Sequence, residues 1–124
     1  MEFKDTQAIY LQIGDYICEQ ILLERWKEGD RLLSVRELGG ILEVNPNTVM
    51  RTYDFLQGKD IIYNKRGVGY FISENARQII LQYRKKEFLG RDLPPVFKNM
   101  TLLGMTFKEL ENEYNKYQKK HENK

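Results

Sequence analysis

The chain has 124 residues, 41% of them hydrophobic, and a formal net charge of +2, which fits one ordinary domain or a small domain with an extension and excludes intrinsic disorder. No apolar run approaches the roughly 18 residues of a membrane helix, and the N-terminus has no secretory signal pattern. The single cysteine, Cys18, excludes an internal disulfide and argues against a cysteine-based metal site, so we expect a cytoplasmic protein.

The first predicted element is a helix from Ala8 to about Arg25. Its apolar residues recur at spacings of three and four, which is typical of one face of an amphipathic helix. These residues are Ile9, Ile13, Tyr16, Ile17 and Ile21. Gly29 and Asp30 then form a turn signal that ends the element.

A second, short helix is predicted from Ser34 to Leu42. Ser34 followed by Glu37 is the capping-box pattern, which satisfies two backbone N–H groups at a helix start. Gly39 and Gly40 lie inside this helix, where a glycine destabilises by roughly 0.5–1 kcal/mol relative to alanine. We therefore expect a close helix crossing at this pair; the alternative is that one glycine is only a tolerated weak position.

A third helix follows after a very short connection. Asn45 is a suitable N-cap, and Pro46 is tolerated at the first helical position because the N–H that it lacks has no helical partner there. The helix should run to about Gln57, with Gly58 as its stop signal. The helical period predicts that one face of this helix packs into the core and that the other is exposed. The inward residues are Val49, Tyr53 and Leu56, and the outward residues are Asn47, Met50, Arg51 and Asp54.

Beyond the third helix the hydrophobic period becomes that of short strands. Residues 61–63 and 68–72 are β-branched and aromatic, and the predicted hairpin has Asn64-Lys65-Arg66-Gly67 at its tip. A helix from Asn75 to about Leu89 follows, and we expect Pro94-Pro95 to break the chain. Two short helices are predicted at 96–103 and 106–118, the second opened by a capping box of Thr106 and Glu109.

This order of elements predicts an α+β, mainly α fold: a winged helix-turn-helix domain at residues 1–73 and a small helical tail at 74–124. In such a domain the second helix of the pair enters the DNA major groove and the hairpin lies near the minor groove. The function predicted is sequence-specific DNA binding by a transcriptional regulator. The alternative is a protein-interaction module, which calls for an apolar or aromatic face on the third helix.

Four residues of the third helix are candidates for contact with DNA. Arg51 is the strongest candidate for base reading, because its planar guanidinium matches the O6 and N7 acceptors of guanine. Asn45, Asn47 and Thr48 at the helix start are placed to reach phosphates or base edges. Capping alone explains Asn45 equally well.

Further basic residues flank this helix. We interpret Arg36 as a phosphate contact rather than a solvated arginine, and Lys65 and Arg66 as the tip of a wing in the minor groove. Residues 1–73 carry nine Lys and Arg against eleven Asp and Glu, a formal charge of −2. DNA binding therefore depends on a local basic surface rather than on the total charge of the domain.

The segment SVRELGGILEVNPNTVMRTYDFL, residues 34–56, resembles the GntR family of bacterial regulators. GDRL before it and KRGVGYFI after it extend the resemblance to residues 9–72. By position, the resemblance implies DNA contacts at Ser34, Arg36, Asn45, Asn47, Thr48, Arg51, Arg66 and Gly67. Three positions depart from the family pattern: Leu33 replaces a proline, Gly39-Gly40 replaces two small alanines, and Glu43 replaces a turn glycine at a site that often favours a positive φ.

Residues 88–117, FLGRDLPPVFKNMTLLGMTFKELENEYNKY, resemble the short helical tail of the YtrA-type subfamily. This resemblance implies a homodimer and control of an adjacent transporter operon; we expect repression, and a palindromic operator to match a two-fold dimer. The tail has more apolar residues than two short helices can bury on themselves, which agrees with a dimer interface. We assign to it Phe97, Met100, Leu103, Met105, Phe107, Leu110, Tyr114 and Tyr117. A pocket for an unknown effector, lined by the same kind of residue, is the alternative.

Catalysis is not predicted. The one histidine, His121, and the one cysteine, Cys18, form no nucleophile–base pair, and Gly67-Val68-Gly69 is too short for a phosphate loop. We expect no metal and no cofactor.

Overall fold

The protein, seen in a computed structural model that describes residues 1–122, is mainly helical with one two-stranded antiparallel sheet. The elements are α1 (Ile9–Leu22), α2 (Val35–Leu42), α3 (Pro46–Gly58), β1 (Ile62–Lys65), β2 (Gly69–Ile72), α4 (Ala76–Glu87), a π-helical turn (Phe88–Asp92), α5 (Leu93–Leu103) and α6 (Phe107–His121). The predicted fold class and element order are confirmed. None of the described helices combines the length and the apolar character that a membrane crossing needs.

The chain divides into two compact units, the first ending at Arg84 and the second beginning at Lys85. The core of the first unit is built by α1, α3, the hairpin and the start of α4, and its fully buried side chains include Ile13, Ile17, Val49, Tyr53, Leu56, Ile61, Ile62, Ile72 and Ile80. The inward face predicted for α3 is therefore confirmed. The first unit extends past residue 73, because Ala76 and Ile80 of α4 are buried in its core.

The start and the end of α2 are set by its flanking residues. The Glu37 N–H donates to Ser34 Oγ at 3.1 Å and the Ser34 N–H donates to Glu37 Oε1 at 3.0 Å, so the predicted capping box is present. The helix ends at Glu43, whose φ of +57° and ψ of 45° are left-handed. This conformation costs a non-glycine residue roughly 1–2 kcal/mol, which explains why glycine is the expected residue at this turn.

The two glycines of α2 differ in their surroundings. A Cβ on Gly39 would lie 2.9 Å from the carbonyl oxygen of Val44 and 3.5 Å from Pro46 Cα, both backbone atoms. A Cβ on Gly40 would have no atom within 4 Å. The prediction of a close crossing is confirmed at Gly39 and wrong at Gly40, which is the tolerated weak position.

We expect Gly39→Ala to lower the free energy of unfolding by about 1–3 kcal/mol, because the added methyl group overpacks against backbone that cannot move aside. Gly40→Ala is the matched control and should raise it by about 0.5–1 kcal/mol, because alanine loses less conformational entropy in a helix. Urea unfolding followed by circular dichroism measures both changes. Equal changes in the two variants would contradict the close crossing.

The hairpin tip has three residues, whereas the sequence predicts four. Asn64 and Lys65 belong to β1, where Lys65 pairs with Gly69, so the tip consists of residues 66–68. The segment before α2 also bonds to β2: the Gly29 N–H donates to the Ile72 carbonyl at 2.8 Å, and the Leu32 N–H donates to the Tyr70 carbonyl at 2.8 Å. The wing is thereby joined to the chain that leads into α2.

The predicted end of α3 is confirmed to within one residue, since Gly58 is the last residue of the helix, but Gly58 is not the residue that reverses the chain. The reversal occurs at Asp60, with a φ of +63°, and the Ile61 N–H donates to the Leu56 carbonyl at 3.0 Å. Aspartate is among the few residues besides glycine that enter the left-handed region readily. Asp60 therefore occupies the left-handed position after the helix that is usually a glycine.

The second unit contains the π-helical turn, α5 and α6. The prediction that Pro94-Pro95 would break the chain is wrong: the two prolines lie in the first turn of α5, where a missing N–H needs no helical partner. Gly104, with a φ of +66°, ends α5. The capping box of Thr106 and Glu109 at the start of α6 is confirmed.

Candidate nucleic-acid interface

The residues predicted to contact DNA lie on three segments of the first unit: the start of α2, the first half of α3 with its N-cap, and the wing. Two contacts hold these segments together. The Tyr53 hydroxyl donates to the Leu33 carbonyl at 2.6 Å, which ties α3 to the residue before Ser34. The Tyr70 hydroxyl lies 3.6 Å from Met50 Sδ, which ties β2 to α3.

The Tyr53 hydroxyl is a permanent donor at neutral pH. Burial, with a smaller contribution from Tyr70, raises the pKa of Tyr53 well above its ordinary value. The proton is therefore retained, and the bond to Leu33 sets the position of α3 relative to the start of α2.

The outer face of α3 is polar, as predicted. Asn47, Met50, Arg51 and Asp54 are exposed, and Thr48 is half-buried. Asn45 is the N-cap, with its Oδ1 accepting from the Asn47 N–H at 2.8 Å. The capping role that we kept open for Asn45 is therefore present, and its side-chain NH₂ group still offers two donors. A DNA contact by Asn45 stays a prediction.

Arg51 stacks on a ring of α1. Its guanidinium carbon lies 4.1 Å from the centroid of the Tyr10 ring. Within residues 1–122 it has no ion pair and no hydrogen bond from its side chain. A guanidinium that stacks on a ring through its flat face keeps the N–H edges that would meet a base or phosphate available.

At the start of α2, Ser34 and Arg36 are both exposed. Ser34 accepts a bond through Oγ, and its hydroxyl proton is still available for a phosphate. The backbone and side-chain hydrogen bonds from Ser34 lower the pKa of Glu37. The Glu37 carboxylate, which lies beside the proposed phosphate contacts, therefore already accepts a hydrogen bond from Ser34.

On the wing, Lys65, Arg66 and Gly67 are exposed. Lys65 Nζ lies 5.3 Å from the centroid of the Phe71 ring, so its side chain follows the strands rather than extending from the tip. Gly67 has a φ of +79°, which explains why this turn position is a glycine. Arg66 is the basic residue at the tip itself.

The charges of this surface are not neutralised by neighbours. All four ion pairs of the described residues lie in the second unit, so none involves Arg36, Arg51, Lys65 or Arg66. A cation without an acidic partner binds a phosphate without first breaking an ion pair. Arg36, Arg51, Lys65 and Arg66 are exposed on α2, α3 and the wing. They are the residues that would form the local basic surface needed for DNA binding by a segment with a formal charge of −2.

Two further side chains at this surface were not predicted. Arg31 lies against the wing, because a Cβ on Gly69 would be 2.9 Å from Arg31 Nε. A glycine inside a strand marks such a close approach, so Gly69 was an available signal. Tyr10, which stacks on Arg51, had no local signal, since the contact depends on how α1 crosses α3.

No cluster of three or more His, Cys, Asp or Glu that could hold a metal ion occurs in residues 1–122. Cys18 is buried in the core, and burial raises the pKa of its thiol to about 12. The thiol is therefore protonated, and a poor nucleophile, at neutral pH.

Comparison with known proteins gives consistent matches. The family described as bacterial regulatory proteins, gntR family, matches residues 9–72. The uncharacterized HTH-type transcriptional regulator YhcF of Bacillus subtilis is 37% identical over 109 residues, which cover 88% of each chain. The HTH-type transcriptional repressor YtrA of the same organism is 42% identical over 79 residues, 64% of this chain and 61% of YtrA.

A solved structure, a GntR family transcriptional regulator from Listeria monocytogenes, has a TM-score of 0.77 and 35% identity, and covers 92% of this chain and 98% of its own. These relatives are named as transcriptional regulators and not as enzymes. The Listeria structure shares the fold described above over most of this chain.

Proposed function

Since this chain belongs to the GntR family of bacterial DNA-binding regulators, we propose that it represses transcription as a homodimer bound to a palindromic operator. DNA binding and transcriptional regulation follow from the family. Sequence-specific reading by α3, dimerisation through the tail and repression are the proposal. A regulator of this kind acts on the bacterial chromosome, and we therefore place it in the cytoplasm.

The observation that carries the proposal is the exposed face of α3 beside the wing. Asn47 and Arg51 are exposed on this face. Among residues 1–122, neither Arg51 nor the basic residues of the wing form an ion pair with an acidic side chain. A protein-docking face is expected to be apolar or aromatic at its centre. The polar and basic character of this face favours DNA over the alternative of a protein-interaction module.

Dimerisation through the tail is supported by exposed apolar side chains. Neither α5 nor α6 contains a buried residue. Leu103 is 72% exposed and Phe107 is 74% exposed, and Tyr114 and Tyr117 are also mostly exposed. Helices of this length without a buried face are only marginally stable in water. A second copy of the same face would cover these side chains with two-fold symmetry.

The same exposure disfavours the alternative of an effector pocket in the tail. Ligand sites are concave and enclose most of the ligand. Side chains that are more than two-thirds exposed, such as Leu103 and Phe107, do not enclose a small molecule in a single chain. We therefore assign to a dimer interface Phe97, Met100, Leu103, Met105, Phe107, Leu110, Tyr114 and Tyr117.

Repression is supported by the likeness to YtrA, which is named a repressor and matches 64% of this chain. A dimer that occupies a promoter would block access to it. The resemblance of the tail to the YtrA-type subfamily extends the proposal to a neighbouring operon, such as one for a transporter.

The proposal is tested by selecting bound fragments from random duplex DNA with the purified protein. We expect a palindrome whose half-sites are about one or two helical turns apart. A reporter under a promoter that overlaps this palindrome should be less active when the protein is present. If the selection at low ionic strength enriches no sequence, sequence-specific binding is contradicted. If reporter activity increases when the protein is present, repression is contradicted.

Arg66→Ala should weaken binding to every duplex and reduce the slope of log affinity against log salt by about one ion, because one phosphate contact is lost. Arg77→Ala is the matched control, since Arg77 is an exposed arginine on α4 rather than on α2, α3 or the wing. Fluorescence anisotropy over a series of salt concentrations measures both slopes. A slope for Arg66→Ala equal to that of the wild type would contradict a phosphate contact by the wing.

A further inference from the structure

Arg51 of α3 and Tyr10 of α1 form a stacked pair in the first unit. The guanidinium carbon lies 4.1 Å from the ring centroid. Tyr10 is half-buried, whereas Arg51 is exposed on the face proposed to enter the major groove. The half-buried ring therefore lies on the inner side of the exposed guanidinium, and face-to-face stacking of this kind uses none of the N–H donors.

The Tyr10 residue is itself held firmly against α3. Its carbonyl oxygen accepts from the hydroxyl of Thr52 at 2.7 Å, and Thr52 is fully buried. This bond joins the backbone of α1 to a side chain only one residue from Arg51. The base of the stack is thus fixed to the same helix that carries the arginine.

The ring of Tyr10 also contacts the first member of a row of aromatic rings. Phe55 of α3 meets Tyr10 edge to face, with the centroids 6.2 Å apart and the planes at 76°. Tyr83 of α4 meets Phe55 at 6.2 Å and 64°. Lys59 Nζ lies over both Phe55 and Tyr83, at 5.2 Å and 4.3 Å from their centroids. The Tyr10 ring is therefore packed against other side chains of the first unit rather than free on the surface.

We propose that Tyr10 is a positioning residue that orients the guanidinium of Arg51 for two-donor recognition of a single guanine. This inference rests on the proposed function, because it requires Arg51 to read a base. An arginine side chain has many rotamers. A bidentate contact needs a rotamer in which two N–H donors of the guanidinium lie in the plane of the base. A ring under the flat face removes the other orientations and uses none of the N–H donors.

The first measurement is the affinity for the operator divided by the affinity for a duplex in which the base pair read by Arg51 is replaced. That pair is the one at which Arg51→Ala loses discrimination. Tyr10→Leu should reduce the ratio about two- to fivefold, which is the effect of one exposed cation–π contact. Tyr10→Phe keeps the ring and should retain the wild-type ratio. In an Arg51→Ala background, Tyr10→Leu should not change the ratio further, because the two side chains act as a pair.

A second measurement does not involve DNA. In the free protein, the Nε–H resonance of Arg51 should be shifted upfield by the Tyr10 ring and should lose this shift in Tyr10→Leu. Tyr10→Met replaces the ring with a flexible apolar side chain, and we expect the same loss of the resonance shift and the same lower affinity ratio as for Tyr10→Leu. It is the variant to use if Tyr10→Leu folds poorly. Thermal unfolding of each variant identifies loss of fold.

The outcomes separate the inference from the function. If the wild type prefers no duplex, the proposed function fails, and the positioning role fails with it even if the resonance shift is present. If the wild type is selective and folded Tyr10→Leu and Tyr10→Met keep its ratio, the function stands and the positioning role is overturned. A higher ratio in these variants also overturns it, because the ring would then hold Arg51 away from the base. An equal loss in Tyr10→Phe overturns it as well, because the hydroxyl would then be the active group.

Discussion

Phe107→Asp should convert the proposed dimer into a monomer and weaken operator binding by at least about 100-fold. In a dimer the second subunit binds its half-site as an intramolecular step, and a monomer loses this gain in affinity. Phe107 is the first residue of α6 and is 74% exposed in the single chain. In a two-fold interface the substitution occurs twice, and each copy places an unpaired carboxylate among apolar side chains, which is strongly unfavourable. Light scattering after gel filtration measures the mass, and anisotropy measures operator affinity.

Asn112→Asp is the matched control for this substitution. It adds the same charge to the same helix at an exposed position, on the side of α6 opposite Phe107, Leu110 and Tyr114 according to the helical period of 3.6 residues. The control should remain dimeric and bind the operator as the wild type does. A dimeric Phe107→Asp, or an equally monomeric Asn112→Asp, would show that this face is not the interface.

Arg51→Ala should lower operator affinity by about 1–3 kcal/mol, or about 5- to 150-fold, and remove discrimination at one base pair of each half-site. The reason is the loss of a guanidinium that is exposed, stacked on Tyr10 and without an acidic partner among residues 1–122. Because the side chain is exposed, the free energy of unfolding should change little. Titrations with the operator and with duplexes altered at single base pairs measure the effect.

Arg51→Lys is the informative companion variant. Lysine keeps the positive charge and loses the planar two-donor fork, so affinity for non-specific DNA should be largely kept while discrimination at the same base pair is lost. If Arg51→Ala selects the same fragments from random DNA as the wild type does, Arg51 is not a base-reading residue.

Local sequence signals predicted the ends and the faces of the helices well. The capping boxes of Ser34 with Glu37 and of Thr106 with Glu109 are both present, because each one involves residues only three positions apart. The inward face of α3 follows from the helical period alone and is correct at Tyr53. The same signals failed at Pro94-Pro95, and at Gly58 they located the end of α3 but not the residue that reverses the chain.

The sequence by itself determined the family, the winged helix-turn-helix order and the segments that offer polar and basic side chains, since all of these are encoded in short spacings along the chain. Only the tertiary structure decided that Gly39 and not Gly40 is at the crossing, that Arg31 lies against Gly69, and that Tyr10 stacks under Arg51. Each of these facts joins residues that are distant in sequence or on different elements. Their distances are set by how α1, α2 and the wing pack on α3; a glycine in the sequence signals a close approach but does not identify the residue that approaches it.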